Sequence, residues 1–351
     1  MDVTNVGNTN ATVLSVVIPV LNVENYLPTC LDSLLRCELR DCEVILVVGK
    51  STDKSNEICE DYKKRNPFIQ IVNQSGSGLS NARNSGYALC NGKYILFIDS
   101  DDFVCDLYFS EMLNELRNEK NAELYVTDFK MVSETSKETF SEQPIFQIGE
   151  NVKHREGMDF LPLMLRRRQC FWNVWRYIYR KDFLDKNELR FTEGILSEDI
   201  DFTTRVLMAN PDVVFMHCPY YCYRVARKES LMGSVTEKRF SDTHQVIKKS
   251  IEALEQSEFI WKQQLIEQYQ FEWVLDLAQL MELQQAVRSV LCKKSACDKS
   301  ILLIGTDRLS HLMYVFLSLF GVKAVSAGLY VLKKAKRAFR NKKIKNNGGC
   351  S

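Results

Sequence analysis

The sequence predicts an α/β protein: a Rossmann-like, mostly parallel sheet with helices on both faces, followed by a C-terminal helical region. Three observations carry this expectation. Short β-branched and aliphatic runs alternate with segments of helical spacing through the first 130 residues. The runs are continuous rather than alternating, as strands buried on both faces are. Polar turns rich in glycine, serine and aspartate follow the runs, at the strand ends where open α/β sheets place their ligands.

The elements follow in order. "LSVVIPV" (14–20) reads as the first strand, and "NVENYLPTCLDSLLRC" (22–37) as a helix with Tyr26, Cys30, Leu31 and Leu34 on one face. "EVILVV" (43–48) is the second strand. "STDKSNEICEDYKKRN" (51–66) reads as a helix capped by Ser51 or Thr52. "IQIVN" (69–73) is a third strand, and "SGSGLSNARNSGYALC" a glycine-flagged loop entering a helix. "YILFID" (94–99) and "AELYVTDF" (122–129) are the fourth and fifth strands. Residues 131–165 read as a polar connection with short elements. A further helix is expected from about Ser197, and 240–300 looks helical, without Gly or Pro.

The 351 residues suit one large α/β domain with an appendage, or two domains. The net charge of +1 hides an asymmetry. From Arg308 onward there are ten Lys or Arg and no acids, which leaves 36 basic and 45 acidic groups before it. An acidic main body argues against nucleic-acid binding. The twelve cysteines are scattered without a C-x-x-C, as in a reduced intracellular protein, and the polar first residues do not read as a secretory signal.

"VVGKSTD" contains G-K-S-T, the end of a phosphate-binding P-loop. That loop needs a glycine five positions before Gly49, where Val44 stands inside the second strand. Other residues promise chemistry. "FIDSDD" drives a hydrophobic strand into Asp99, Asp101 and Asp102, a crowding that a divalent cation relieves. An acidic turn capping the next helix is the competing explanation. "SGLSNARN" sets Arg83 near a helix start, as an anion-binding fork or an ordinary surface arginine. "SEDIDF" sets Glu198 and Asp199 at a helix start, as a general base or as acids favoured by the helix dipole.

In this order, the segments "LSVVIPVLNVENYLPTCLDSLL", "GLSNARNSG", "GKYILFIDSDD" and "EGILSEDIDF" resemble the family 2 glycosyltransferases of the GT-A (nucleotide-diphospho-sugar transferase) fold. The likeness covers roughly residues 13–230 and is similar to bacterial enzymes of capsular, exopolysaccharide or O-antigen synthesis. It implies a domain at 13–235, with a donor half (13–104) and an acceptor half (105–235). A flexible stretch at 1–12, a helical region at 236–305 and a tail at 306–351 complete the expected organisation.

The resemblance also implies roles. Asp199 would be the catalytic base, with Glu198 beside it. Pro19, Asn22, Arg83, Asp99 and Asp101 would bind the nucleotide-sugar donor. Asp101 and Asp99 would hold Mn²⁺ or Mg²⁺. Trp172 and Trp175 stack on acceptor sugars or pack the core. The expected activity is inverting transfer of a sugar to a hydroxyl of a glycan or lipid-linked acceptor. A non-catalytic partner subunit is the alternative. A sugar-nucleotide pyrophosphorylase fits less well, because it gives "SEDIDF" no task.

One segment departs from the resemblance. The family usually reads "VDDGSTD" where this chain has "VVGKSTD", so Val48 and Gly49 replace an acidic pair and Lys50 replaces the glycine. An acid there normally accepts an N–H bond from the base, which leaves donor identity open.

Residues 309–332 are apolar for 24 positions around Lys323, and a basic run follows. A lysine inside such a segment is costly in a bilayer. The expectation is an in-plane or re-entrant helix on the inner membrane face of a cytoplasmic protein, against the alternative of a buried terminal helix.

Overall fold

The computed structural model describes residues 12–118, 121–133, 139–143, 154–156, 161, 172–225 and 236–277, with isolated positions at 280, 285, 288, 291, 326 and 327. It divides into two compact units, Met1–Lys228 and Glu229–Ser351.

In the first unit, β1 (Leu14–Val20) lies between β2 (Cys42–Val48) and β4 (Tyr94–Phe97), and β3 (Ile69–Asn73) flanks β2; all these pairings are parallel. Every residue of β1 and β2 is buried, which explains their unbroken apolar runs. The sheet then becomes mixed. β9 (Tyr177–Arg180) is antiparallel to both β4 and β6 (Leu124–Ser133), and β10 (Val213–Val225) runs parallel to β6. The order is β3-β2-β1-β4-β9-β6-β10-β5, ending on the two-residue β5 (Phe103–Val104). Two short strands, β7 (Thr139–Gln143) and β8 (His154–Glu156), pair off this path with β6 and β10.

Helices cover both faces. Leu27, Cys30, Leu31 and Leu34 of α1 (Leu27–Leu35) share one core with Val16, Ile18 and Val20. Cys59 and Tyr62 of α2 (Ser55–Arg65) and Phe109, Met112 and Leu113 of α4 (Asp106–Arg117) join it. On the opposite face lies α3 (Leu79–Tyr87). A Cβ on its Gly86 would stand 2.4 Å from Val17 Cγ1 and 2.8 Å from Val47 Cγ2, so only glycine lets this helix settle on β1 and β2. That contact sets the depth of Arg83, one turn earlier.

Two sequence expectations change here. Ser51 and Thr52 do not cap α2, which begins at Ser55. Instead, Ser51 Oγ accepts from Asn22 N–H at 3.2 Å and Thr52 N–H donates to Asn22 Oδ1 at 2.8 Å, tying the loops after β1 and β2 together. The capping work passes to Asp53, whose carboxylate accepts from the backbone of Ser55 and of Glu24. Likewise neither Asp101 nor Asp102 caps the next helix, because β5 intervenes and α4 starts at Asp106.

After β9 the first unit adds the short α5 (Lys181–Lys186) and α6 (Glu198–Met208), and the second unit contains α7 (Glu237–Glu255) and α8 (Lys262–Leu277). Thr236 caps α7 by accepting from Arg239 N–H, and the His244 ring packs between Phe240 and Trp273, tilted to both. Among the described residues, no helix is long and apolar enough to cross a membrane. The expected membrane segment, 309–332, lies outside them except for residues 326 and 327.

Candidate functional site

The carboxyl end of β4 delivers Asp99 into a turn in which Asp102 N–H donates to Asp99 C=O at 3.0 Å. Among the described residues, one ligand oxygen each from Asp99, Asp101 and Asp102 lies within 4.8 Å of the others. Their environments differ. Asp102 is fully buried; it accepts from Tyr221 Oη at 2.7 Å and from Arg224 N–H at 2.7 Å. Burial, then the charges of Asp101 and Asp99, push its pKa well above the ordinary carboxylate value. Asp102 therefore ties the acidic turn to β10, while Asp99 and Asp101 keep partial exposure. An all-oxygen set with two partly exposed carboxylates fits a hard divalent cation.

Arg83 is not a surface side chain. It is 3% exposed and spans two acidic segments, with Nη2 3.0 Å from Asp99 Oδ1 and Nη1 2.8 Å from Glu198 Oε1. Its guanidinium also lies over the Phe191 ring, 5.2 Å from the centroid. Burial opposes the charge, but Asp99, Glu198 and Asp199 outweigh it and raise the arginine pKa. This one side chain brings "NARN", "DSDD" and "SEDIDF" to a single place.

Glu198 and Asp199 open α6 (Glu198–Met208), after Ser197 turns the chain through a left-handed conformation (φ 67°). Asp199 Oδ1 accepts from Ile200 N–H at 2.9 Å. Burial, and next the adjacent Glu198 charge, raise the Asp199 pKa to about 7, with Arg83 opposing. Such a carboxyl exchanges protons near neutrality.

Pro19 lies within β1, paired with Val47, and Asn22 follows the strand in a left-handed conformation (φ 52°). Both tryptophans are buried. Trp175 stacks on Tyr221, with centroids 4.0 Å apart and planes 2° apart, and Phe129 meets it edge-on. Trp172 accepts from Thr203 Oγ1 through its backbone carbonyl.

The structure adds residues that the sequence did not single out. Asn84 holds the segment before α6: Nδ2 donates to Phe191 C=O at 2.9 Å, and Oδ1 accepts from Phe191 N–H at 3.0 Å. Asn81 and Asn84 both donate to the Glu193 carboxylate. Arg224 is buried over the Phe103 and Tyr26 rings, with no hydrogen-bond partner for Nε or Nη2 among the described residues. The run "NARN" carries a signal for Asn84, since asparagine at helical spacing beside a buried arginine offers both amide groups to a neighbouring backbone. Arg224 is too far from the other segments in sequence to be found that way.

Comparisons with known proteins bear on the family likeness and the fold. The model of the family described as glycosyl transferase family 2 matches residues 15–183. The chain is 34% identical over 212 residues to the uncharacterized glycosyltransferase EpsJ of Bacillus subtilis, covering 60% of each chain. It is 29% identical over 238 residues to the glycosyltransferase GlyA of Streptococcus pneumoniae, which covers 64% of this chain and 32% of GlyA. The match thus spans less than two thirds of either relative. The crystal structure of S. aureus TarS 1-349 in complex with UDP-GlcNAc superposes with a TM-score of 0.67 at 18% identity, covering 94% of this chain and 92% of TarS. At that identity the likeness speaks for the fold. The chain thus matches glycosyl transferase family 2 through residues 15–183, and it carries the GT-A fold.

Proposed function

We propose that this chain is an inverting glycosyltransferase that moves a sugar from a nucleoside-diphosphate sugar to a hydroxyl of a glycan or lipid-linked acceptor in cell-surface polysaccharide synthesis. The observation that carries this reading is the Arg83 bridge, which sets Glu198, the neighbour of Asp199, beside Asp99. The match to the family model over residues 15–183 supports it, as do the glycosyltransferase names of EpsJ and GlyA and the UDP-GlcNAc bound by TarS.

In this mechanism Asp99 and Asp101 would hold Mn²⁺ or Mg²⁺, which when bound would offset the negative charge of the departing nucleoside diphosphate. Pro19 and Asn22 border the nucleotide. Asp199, ionised above about pH 7, takes the proton from the acceptor hydroxyl. The oxygen attacks the anomeric carbon on the face opposite the diphosphate. The sugar–oxygen bond forms as the bond to the leaving phosphate breaks, so the anomeric configuration inverts. Arg83 fixes Glu198, and the Glu198 charge keeps Asp199 basic enough for the task.

The test is Asp199→Asn, which abolishes transfer from UDP-, GDP- or dTDP-sugars in Mn²⁺ while donor binding persists. Near wild-type turnover in that variant rules the assignment out. The lost acids at 48 and 49 favour a second reading, a non-catalytic partner subunit. Absence of nucleoside-diphosphate binding, with or without Mn²⁺, supports that reading. A lipid-linked acceptor also gives the apolar segment 309–332 and its basic sequel a purpose at the inner membrane face. A chain ending at Leu302 that still sediments with anionic vesicles excludes that role for the tail.

A further inference from the structure

The loops after β1 and β2 contain carboxylates, but these are engaged with backbone. Asp53 accepts from Glu24 N–H at 2.9 Å and from Ser55 N–H at 2.9 Å, and Glu24 accepts from Lys54 N–H at 3.0 Å. No acidic side chain at 48 or 49 is available to receive an N–H from a base. The space that a side chain at 49 would take is filled from elsewhere. A Cβ on Gly49 would lie 3.1 Å from Leu21 Cδ1, 3.3 Å from Gln74 Oε1 and 3.4 Å from Val20 C=O.

Gln74 follows β3, and two hydrogen bonds hold it. Its backbone N–H donates to Val48 C=O at 2.9 Å, and its side-chain Nε2 donates to Gly78 C=O at 2.7 Å. The second bond fixes which end of the amide is nitrogen, because a carbonyl accepts only from a donor. Oε1 is thereby set 3.3 Å from where a Cβ on Gly49 would stand, and among the described residues it accepts no hydrogen bond. Beside it, Leu21 is 54% exposed, a bare apolar surface at a strand end. Lys50 is exposed and forms no ion pair among the described residues.

We infer that Gln74 is the base-reading residue of this chain, its Oε1 accepting the ring N–H of a uracil-type base lying on Leu21, with Lys50 donating to a ring carbonyl. This rests on the donor-site reading above and deepens it by naming the base. The chemistry selects against cytosine. Uracil presents N3–H between two carbonyls, matching one acceptor and one cation. Cytosine presents a lone pair at N3, which faces the lone pairs of Oε1 without a proton between them. The reader has thus moved from the end of β2 to the end of β3, with a neutral amide in place of a carboxylate.

The experiment is calorimetry on the full chain with UDP, CDP and GDP in Mn²⁺, for the wild type, Gln74→Leu and Gly49→Asp. The wild type binds UDP at least about tenfold more tightly than CDP, the effect of one neutral hydrogen bond that uracil makes and cytosine does not. Gln74→Leu loses about tenfold in UDP affinity and leaves CDP affinity within about twofold, so the ratio collapses. The unchanged CDP affinity shows that the site itself still folds. Gly49→Asp weakens UDP, because its Cβ displaces Gln74 or Leu21. A UDP-to-CDP ratio unchanged in Gln74→Leu, or a wild-type preference for CDP or GDP, overturns the inference alone. Failure of the wild type to bind any of the three overturns it together with the donor-site reading.

Discussion

Arg83 Nη1 lies 2.8 Å from Glu198 Oε1 across 115 positions of sequence, and the same guanidinium reaches Asp99 with its other terminal nitrogen. A buried charge held between two carboxylates is expensive to unmake, because each carboxylate left behind is desolvated and unpaired. Arg83→Met should therefore cost about 3–5 kcal/mol in urea unfolding. Arg83→Lys should recover only part of this, since one ammonium cannot fork between the two acids at these distances. A loss under 1 kcal/mol for the methionine variant would show that the bridge contributes little.

Asp199 sets a pH dependence. As a base it works when ionised, so turnover should rise with pH up to about 7 and level off above it. Asp199→Asn should lower turnover by about 10²–10⁴-fold and remove that inflection. The stability effect has the opposite sign. A carboxyl whose folded pKa lies above its unfolded value binds more protons when folded, so stability falls as pH rises from about 4 to 7. The asparagine variant should lose this dependence and gain in melting temperature relative to wild type at pH 8. Equal melting temperatures for the two proteins from pH 4 to pH 8 would contradict the raised value.

Asn84 makes two hydrogen bonds to the backbone of Phe191, seven residues before Glu198. Asn84→Ala leaves a backbone N–H and a carbonyl unpaired, with an expected cost of about 1–3 kcal/mol. Because the clamp precedes α6, turnover should fall while nucleotide affinity is preserved. A variant that loses nucleotide binding in step with turnover would place Asn84 on the donor side instead.

Chelation offers an independent check on the acidic turn. Treatment with EDTA should abolish transfer, and added Mn²⁺ or Mg²⁺ should restore it. Asp101→Asn should raise the metal concentration needed for half-maximal activity. Asp102→Asn should act mainly on stability, because Asp102 is spent on Tyr221 and Arg224. Equal metal requirements in the two variants would refute this division of labour.

Much of the parallel part of the sheet was legible because its strands are buried on both faces and its turns carry acids at their ends. β1 and β3 match the expected ranges, and β2 begins one residue earlier than expected. Legibility fell where the sheet changes direction. β9 is a four-residue antiparallel insertion inside an aromatic-rich stretch, and nothing in "YIYR" announces its orientation. The thirteen-residue β10 was not anticipated, although it supplies both partners of Asp102. The acids at 99, 101, 198 and 199 stand out as a pattern, whereas Gln74 matters through contact with a glycine of the neighbouring strand. Such a contact has no local signature in the chain.

The stacked pair of Trp175 and Tyr221 has a further use. The Tyr221 hydroxyl donates to Asp102 and accepts from the backbone N–H of Asp99, so one ring separates an indole from the acidic turn. The emission of that indole is a built-in optical gauge of the turn. Titration with Mn²⁺ or a nucleoside diphosphate can be followed by intrinsic fluorescence in unlabelled protein, with Tyr221→Phe and Trp175→Phe as controls that silence the signal.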